Sequence, residues 1–249
     1  MKPAREQRPV ALITGAAKRV GAHIARALHA AGYDLALHYR HSGTEMEALC
    51  AELETVRAGS TLAIQADLAD LDQLVQIVEK CISRYGRLDA LINNASAFYA
   101  TPLGAVTPAQ WDELFASNAR APFFLAQAAV PHLQSVQGSI VNLVDIYAER
   151  PLPNHAVYCM AKAALAMMTR ALAKDLGPKV RVNAIAPGAI LWPDSGQGYA
   201  DQRELVARTP LQRTGTPEEI ATAVLFLLRD ATFTTGQVLN VDGGRSLAI

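Results

Sequence analysis

The 249-residue chain has little charge, little cysteine and few aromatic side chains. Charged residues make up 18% of it, and its 23 basic residues are balanced by 23 acidic ones. Nucleic-acid binding depends on basic residues that face phosphates, so we expect no nucleic-acid partner. No apolar run reaches the ~18 residues of a membrane span, so we expect no membrane insertion. The opening MKPAREQRPV lacks the apolar core of a signal peptide, which predicts a cytoplasmic protein.

Metal and disulfide chemistry have equally little support. The three cysteines, Cys50, Cys81 and Cys159, are odd in number, widely spaced and part of no CxxC or Cys/His pattern. We interpret them as reduced thiols and the six scattered histidines as mostly structural, so no metal site is expected. Hydrophobic residues nevertheless make up 51% of the chain, enough for a sizeable core in one domain.

Short apolar runs alternate with helical patterns along the chain. The predicted strands are Val10–Thr14, Asp34–His38, Thr61–Gln65, Ala90–Asn93, Ile140–Val144, Arg181–Ile185 and Val238–Val241. This alternation predicts an α/β fold, a Rossmann-like, doubly wound, mostly parallel seven-stranded sheet with helices on both faces. We expect a single domain over residues 1–249, with a substrate loop at about 189–210.

A glycine turn follows the first strand. The order strand, Gly15-Ala-Ala-Lys-Arg-Val-Gly21, helix points backbone N–H groups at a phosphate. Gly15 allows the tight turn, and Gly21 lets the helix pack close to the sheet. Arg19 stands where the dinucleotide fingerprint has another glycine, and it adds a charge-assisted donor beside a pyrophosphate. The alternative is an ordinary βα loop.

The residues after the second strand indicate which dinucleotide is bound. An acidic residue here would bind the ribose 2′-hydroxyl of NAD, whereas arginine accommodates the 2′-phosphate of NADP. The chain has no carboxylate here but Tyr39-Arg40-His41-Ser42, with Lys18 and Arg19 nearby. This favours NADPH over NADH, and the alternative is a solvated basic loop. Asp67 could hold the adenine amino group or cap the following helix.

A tyrosine and a lysine lie one helical turn apart in the sixth helical pattern. Tyr158 and Lys162, at i and i+4, share one face. An ammonium beside a phenol lowers the pKa of the phenol, which makes Tyr158 a candidate proton donor near neutral pH. Asp145 ends the preceding strand and could point into the same space. The alternative for the pair is a solvated surface position.

Several of these motifs together resemble the short-chain dehydrogenase/reductase family. They are, in chain order, Thr14-Gly15, Asn93-Asn94-Ala95, Asn118, Tyr158-x-x-x-Lys162 and Pro187-Gly188. The resemblance implies that Asn94 and Ala95 line the nicotinamide side and that Asn118 belongs to a proton relay with Tyr158 and Lys162. It also implies that Lys162 holds the nicotinamide ribose hydroxyls, and that Pro187–Ile190 contacts the nicotinamide.

One departure from that family concerns Asp145. The family usually has serine 13 positions before the tyrosine, where its hydroxyl donates to a ketone oxygen; the chain has Asp145, and 158 − 145 = 13. An ionised carboxylate would repel the alkoxide that forms when a ketone takes hydride. A carboxyl group suits ring N–H groups, which points to reduction of a C=N bond in a nitrogen heterocycle. The alternative is that Asp145 faces away or caps another element.

Three stretches resemble the pteridine reductase subfamily more closely: TGAAKRVG, Asn93–Leu103 and Val144-Asp145. That resemblance implies NADPH-dependent reduction of dihydropterins or dihydrofolates to their tetrahydro forms in a homotetramer; reduction of fully oxidised pterin or folate is left open. Phe98 would then stack on the pterin, and ordinary core packing is the alternative. Arg19 and Ser96 would contact the pterin or the cofactor phosphates.

These arguments define three sets of candidate site residues. The catalytic set is Asp145, Tyr158 and Lys162. The substrate-binding set is Arg19, Ser96, Phe98, Asp145 and Tyr158. The cofactor set is Gly15, Lys18, Arg19, Val20, Tyr39, Arg40, His41, Ser42, Asp67, Leu68, Asn94, Ala95, Ser96, Tyr158, Lys162, Pro187, Gly188 and Ile190.

Two other functions remain open. A carbonyl reductase acting on 3-oxoacyl thioesters or small ketones and aldehydes would use the same fold. A non-catalytic NADP-binding sensor would not need the intact Tyr158, Lys162 and Asn118. The loop around Trp192-Pro193-Asp194 gives no residue-by-residue match, so the outer half of the substrate site is not assigned.

Overall fold

Seven strands form one sheet in which every neighbouring pair is parallel. The computed structural model describes residues 8–191 and 202–248. The strands are β1 (Val10–Ile13), β2 (Asp34–Tyr39), β3 (Thr61–Gln65), β4 (Ala90–Asn93), β5 (Ser139–Leu143), β6 (Arg181–Pro187) and β7 (Val238–Val241). The predicted Rossmann-like, doubly wound sheet is confirmed.

The strand order is β3-β2-β1-β4-β5-β6-β7, so the direction of winding reverses between β1 and β4. In such a sheet the loops after neighbouring strands diverge at the reversal and leave a crevice at the carboxyl ends of the strands. The loops that carry Gly15, after β1, and Asn94, after β4, flank this crevice. The topology therefore fixes where the site lies.

Eight α-helices within the described residues cover the sheet. They are α1 (Arg19–Ala30), α2 (Gly43–Val56), α3 (Leu71–Tyr85), α4 (Pro108–Phe115), α5 (Ala121–Ser135), α6 (Ala156–Leu176), α7 (Gln202–Arg208) and α8 (Pro217–Arg229). Side chains of a strand alternate between its faces, so each strand supplies two cores. In β1, Ala11 and Ile13 pack with α1, α2 and α8, whereas Val10 and Leu12 pack with α3 and α5.

The segment between α4 and α5 differs from the sequence prediction. Two helices, about Pro108–Ser117 and Ala121–Leu133, were expected with Asn118 between them. Instead a π-helical turn, Ala116–Arg120, joins α4 to α5 without a break. Pro122 has no N–H to donate to the carbonyl of Asn118, which favours the wider turn. Asn118 therefore sits on a bulge, and such bulges often occur at functional sites.

By length and composition alone, helix α6 is long and apolar enough to cross a membrane. Half of its apolar 18-residue stretch is buried inside the protein. Its buried positions include Val157, Ala161 and Leu165, which pack toward the sheet, and also Lys162. Burial inside the fold accounts for its apolar character, as it does in the core helices of globular proteins.

Candidate active site

The turn after β1 is joined to the turn after β4. The Thr14 hydroxyl accepts hydrogen bonds from the backbone N–H groups of Asn94 and Ala95, both at 3.0 Å. The Asn94 side-chain amide donates to the carbonyls of Thr14 and Gly15, both at 2.9 Å. Gly15 has φ +63°, and a Cβ there would lie 2.9 Å from the Ala95 Cα. Only glycine fits this turn, which lies where the sequence predicts a phosphate.

A cleft of about 590 Å³ opens beside this turn. The predicted cofactor residues that line it are Gly15, Lys18, Arg19, Val20, Arg40, Asp67, Leu68, Asn94, Ala95 and Ser96. The predicted residues Tyr39 and Ser42 are partly buried nearby in the chain, and His41 is exposed. A volume of this size lies within the range of small-molecule and cofactor sites.

Two cations of the cleft, Lys18 and Arg40, are paired with carboxylates. Lys18 Nζ lies 2.7 Å from Glu45 Oε1, and Arg40 Nη2 lies 2.9 Å from Asp67 Oδ2. All four side chains are between about one third and one half exposed. Solvent screens such pairs, so a phosphate can replace the carboxylate at low cost. The donors fit an anionic dinucleotide.

Asp67 does not cap α3, which was one of its two expected roles. The capping residue is Asp70, whose carboxylate accepts from the backbone N–H groups of Asp72 and Gln73. Asp67 accepts from the N–H of Ala69 at 2.9 Å, and it also pairs with Arg40. Asp67 therefore lines the cleft, and its contact with adenine stays a prediction.

The three predicted catalytic residues lie together beyond the end of β5. The Tyr158 hydroxyl donates to Asp145 Oδ2 at 2.7 Å. Asp145 Oδ1 accepts from the N–H of Tyr147 at 2.9 Å, which caps a short 3₁₀ turn. Lys162 Nζ donates to the Leu143 carbonyl at 2.8 Å and lies 5.7 Å from the centre of the Tyr158 ring. The Asp145 carboxyl therefore contacts the tyrosine with one oxygen and caps the turn with the other.

Burial shifts the pKa values of Lys162 and Asp145. Lys162 is 2% exposed, and desolvation lowers the pKa of its ammonium to about 8, against the opposing attraction of Asp145. Burial raises the pKa of the Asp145 carboxyl, while the bonds from Tyr147 and Tyr158 and the charges of Lys162 and Arg245 act in the opposite direction. Shifts of this kind are typical of groups that transfer protons near neutral pH.

The sequence analysis missed His155, which packs against Phe98. The two rings are stacked, with centroids 4.9 Å apart and planes inclined by 15°, and the Phe98 ring meets Tyr158 edge-on at 4.8 Å. One face of Phe98 is therefore covered by protein, and a ligand ring could stack only on the opposite face. His155 is the N-cap residue of α6, three positions before Tyr158, and this closeness in the chain is a signal that could have revealed the contact.

Ser96 and Asn118 are joined directly. The Ser96 hydroxyl donates to Asn118 Oδ1 at 2.7 Å, and the Asn118 amide donates to the carbonyls of Ala97 and Leu114 at 2.9 and 3.0 Å. Asn118 is fully buried. The structure thus ties the predicted relay residue to the loop after β4, which lines the cleft.

The predicted nicotinamide segment begins at the end of β6. The Gly188 N–H donates to the Val241 carbonyl at 3.0 Å, and a Cβ at Gly188 would lie 2.7 Å from the Asp242 Cα. Ile190 packs against Gly215, where a Cβ would lie 2.6 Å from Ile190 Cδ1. Arg19 Nη2 donates to the Leu191 carbonyl at 3.2 Å, which links the phosphate turn to the start of the predicted substrate loop. Trp192-Pro193-Asp194 lies outside the described residues.

A parallel sheet with a dinucleotide cleft at its reversal point and a Tyr-x-x-x-Lys helix beside it defines an oxidoreductase of the short-chain dehydrogenase/reductase type. The chain belongs to the short-chain dehydrogenase/reductase family, since residues 15–246 match a family model described as enoyl-(acyl carrier protein) reductase.

Relatives in this family carry different activities in their names. The chain is 36% identical over 280 aligned residues to "Pteridine reductase 1" of Leishmania tarentolae, with 96% of each chain covered. It is 40% identical over 246 residues to "Granaticin polyketide synthase putative ketoacyl reductase 2" of Streptomyces violaceoruber, again with 96% of each covered. It is 33% identical over 239 residues to "3-oxoacyl-[acyl-carrier-protein] reductase FabG" of Staphylococcus aureus, with 94% of this chain and 96% of that protein covered.

Proposed function

We propose that this oxidoreductase is an NADPH-dependent pteridine reductase that converts dihydropterins or dihydrofolates to their tetrahydro forms, as a cytoplasmic homotetramer. The observation that carries the proposal is the 2.7 Å hydrogen bond between the Tyr158 hydroxyl and the Asp145 carboxyl. The 36% identity to a pteridine reductase over 96% of the chain supports it.

The carboxyl group distinguishes this site from one built for ketones. Hydride addition to a ketone leaves a negative charge on oxygen, which needs a neutral or cationic donor beside it. Reduction of a C=N bond leaves the charge on a ring nitrogen, which takes a proton and can then donate to a carboxylate. Asp145 occupies the position of the donor, so the site favours a nitrogen heterocycle over a carbonyl.

The residues of the cleft fit the cofactor. Lys18, Arg19 and Arg40 provide positive charge for the phosphates, and Gly15 keeps the turn free of side-chain atoms. NADPH, when bound, supplies the hydride that is added to a ring carbon of the pterin.

The chain itself supplies and controls the proton. The Tyr158 hydroxyl donates its proton to the ring nitrogen next to the carbon that received hydride. The negative charge that remains on Tyr158 lies beside the Lys162 ammonium, whose nitrogen is 5.7 Å from the centre of the ring. The Asp145 carboxylate then accepts a hydrogen bond from the N–H of the reduced ring, and Tyr158 regains its proton from water. The flat ring would stack on the face of Phe98 that lies opposite His155.

A ketoacyl reductase is the second candidate function. It is favoured by the 40% identity to a putative ketoacyl reductase and the 33% identity to FabG, both over nearly the whole chain. In that case Asp145 would act as a neutral acid and donate to the carbonyl oxygen, a form that its raised pKa makes more accessible. The same geometry would then serve another substrate.

A substrate panel separates the two candidates. Loss of NADPH absorbance is followed with dihydrobiopterin, dihydrofolate and an acetoacetyl thioester. We expect kcat/KM to be highest for a pterin or folate. Robust thioester reduction without turnover of either heterocycle would overturn the proposal.

Asp145→Ser provides the matched test, because it installs the residue that is usual in the family. We expect it to lower kcat/KM for the pterin by about 100-fold while NADPH binding stays within about twofold of wild type. Asp145→Asn keeps the shape but not the charge, and it should lose activity to a similar degree. Unchanged pterin turnover in both variants would exclude Asp145 from the reaction.

A further inference from the structure

His38 belongs to β2, and its side chain lines the nucleotide cleft. The backbone N–H of Gly15 donates to His38 Nδ1 at 3.2 Å, and His38 Nε2 lies 3.1 Å from the Ala66 carbonyl oxygen. The residue is 2% exposed and lines the cleft. One imidazole therefore bridges the ends of three neighbouring strands, β1, β2 and β3.

The two contacts define the state of the ring. Nδ1 accepts from an N–H and so carries no proton, whereas Nε2 faces a carbonyl and so carries one. This is the neutral imidazole, and burial lowers the pKa of His38 to about 4, against the Ala66 bond and the charge of Asp67. The charged groups that share the cleft are Lys18, Arg19, Arg40, Asp67, Asp112, Glu113 and Arg120. If the ring were protonated, Nδ1 would carry a hydrogen that points at the Gly15 N–H. The bridge therefore requires the neutral form.

The residues at the two ends of this bridge belong to segments that form two parts of the cleft wall. Gly15 begins the turn that the sequence assigns to the pyrophosphate. Ala66 directly precedes Asp67 and Leu68, which line the wall assigned to the adenosine. Backbone bonds hold the same three strand ends, from Ala16 N–H to the His38 carbonyl at 2.9 Å and from Ala66 N–H to the Tyr39 carbonyl at 3.1 Å. The imidazole is the side-chain link between the two segments.

We propose that His38 is a positioning residue for dinucleotide binding, which sets the distance between the pyrophosphate turn and the adenosine wall. The imidazole contacts the backbone at Gly15 and Ala66, and it acts on the cofactor by holding these two segments in place. The role extends beyond the proposed pteridine activity, because it concerns the part of the dinucleotide that NADH and NADPH share. It therefore stands or falls independently of the substrate.

A second buried histidine gives a matched control. His29 at the end of α1 is also 2% exposed, its Nε2 lies 2.8 Å from the Ser60 hydroxyl, and burial lowers its pKa. Ser60 directly precedes β3, so this contact lies at the amino edge of the sheet, opposite the cleft. Loss of His29 removes a buried imidazole and a hydrogen bond without disturbing the walls of the cleft.

The experiment measures the Kd of NADPH and of NADH at pH 7.5 by titration of the purified protein, together with its thermal midpoint. His38→Leu is expected to raise both Kd values by about tenfold, the size of one buried hydrogen bond. His38→Asn, whose amide oxygen can replace Nδ1 as acceptor for Gly15 but whose shorter side chain gives up the Ala66 contact, should have a smaller effect and raise both Kd values by about threefold. His29→Leu should lower the thermal midpoint while both Kd values stay within about twofold of wild type.

Two results would overturn the proposal. The first is wild-type affinity for both dinucleotides in folded His38→Leu. The second is an equal loss of affinity in His29→Leu, which would attribute the effect to general destabilisation. If His38→Leu does not fold, His38→Gln replaces it, since its longer amide cannot keep both contacts; wild-type affinity there would equally reject the role. Wild-type protein that binds NADPH but reduces no pterin would reject the proposed substrate and leave this test intact.

Discussion

The candidate active site has two halves, the nucleotide cleft and the catalytic group of Asp145, Tyr158 and Lys162 beyond the end of β5, and they carry charge in different ways. In the nucleotide half, Lys18 and Arg40 are about half exposed, and each is paired with a carboxylate that is also partly exposed. In the catalytic half, Lys162 is 2% exposed, is bonded to a backbone carbonyl and has its pKa lowered to about 8 by burial. The first arrangement leaves the charged groups in contact with solvent, and the second removes the solvent around the lysine.

The difference reflects what each half must do. A cofactor phosphate must enter and leave, so its partners are held by solvent-screened pairs that are readily exchanged. A proton donor must be poised between two states, and only desolvation and close neighbours shift a pKa far enough for that. Substitutions in the catalytic half should therefore act on rate, and those in the nucleotide half on cofactor affinity and selectivity.

Tyr158→Phe should have the largest effect. It removes the proton donor while keeping the ring that packs against Phe98, and we expect kcat to fall by about 10²–10⁴-fold with little change in NADPH affinity. Tyr85→Phe is the control, because the Tyr85 hydroxyl donates to the Leu35 carbonyl away from the site. Steady-state kinetics and NADPH titration of both variants provide the measurement. Unaltered turnover in Tyr158→Phe would show that the tyrosine is not the proton donor. Wild-type protein that binds NADPH but turns over no substrate would favour a dinucleotide sensor.

The pH profile should show the lowered pKa of Lys162. Below pH about 8 the ammonium is charged and stabilises the tyrosine after it donates its proton. Above that pH the charge is lost, so kcat/KM should fall by up to about tenfold per pH unit. Lys162→Arg keeps its charge throughout and should lack this decline, whatever its absolute rate. A profile that is flat to pH 10 in the wild type would show that the lysine charge has no part in the rate.

Arg40→Ala should separate the two dinucleotides. Only NADPH has the 2′-phosphate, so we expect the Kd of NADPH to rise about tenfold and that of NADH to change by less than about twofold. Arg26→Ala is the control, since Arg26 is an exposed arginine paired with Glu52 on α1 and α2. Direct titration measures both values. Equal losses for the two dinucleotides would place Arg40 away from the 2′-phosphate.

Glu45→Gln should have the smallest effect, in the opposite direction. It releases Lys18 from its 2.7 Å partner, so NADPH should bind up to about threefold more tightly at low salt, and the gain should shrink as salt is added. Glu52→Gln, which releases Arg26 outside the cleft, should leave the Kd unchanged. If Glu45→Gln weakens NADPH binding, Lys18 depends on its carboxylate for orientation and does not compete with it.

The strands and the Tyr–Lys pair could be predicted because their signals are local. Apolar runs located all seven strands to within about two residues, and a spacing of four placed Lys162 one helical turn from Tyr158. The bridge made by His38 could not be predicted, because it joins residues 23 and 28 positions away in the chain. The stack of His155 on Phe98 joins α6 to the loop after β4 and was missed for the same reason. The π-helical turn at Asn118 depends on the absent N–H of Pro122, a cause that periodicity alone does not reveal.

Spacing along the chain establishes the order of the elements, the carboxyl-end position of the turns and the identity of the reactive groups. The pKa values of those groups depend instead on how the elements pack together. Lys162 and His38 are ordinary titratable residues until other elements remove the water around them, and then the first has a pKa of about 8 and the second of about 4. Desolvation depends on which atoms of distant segments pack around a side chain, and local spacing does not encode that quantity.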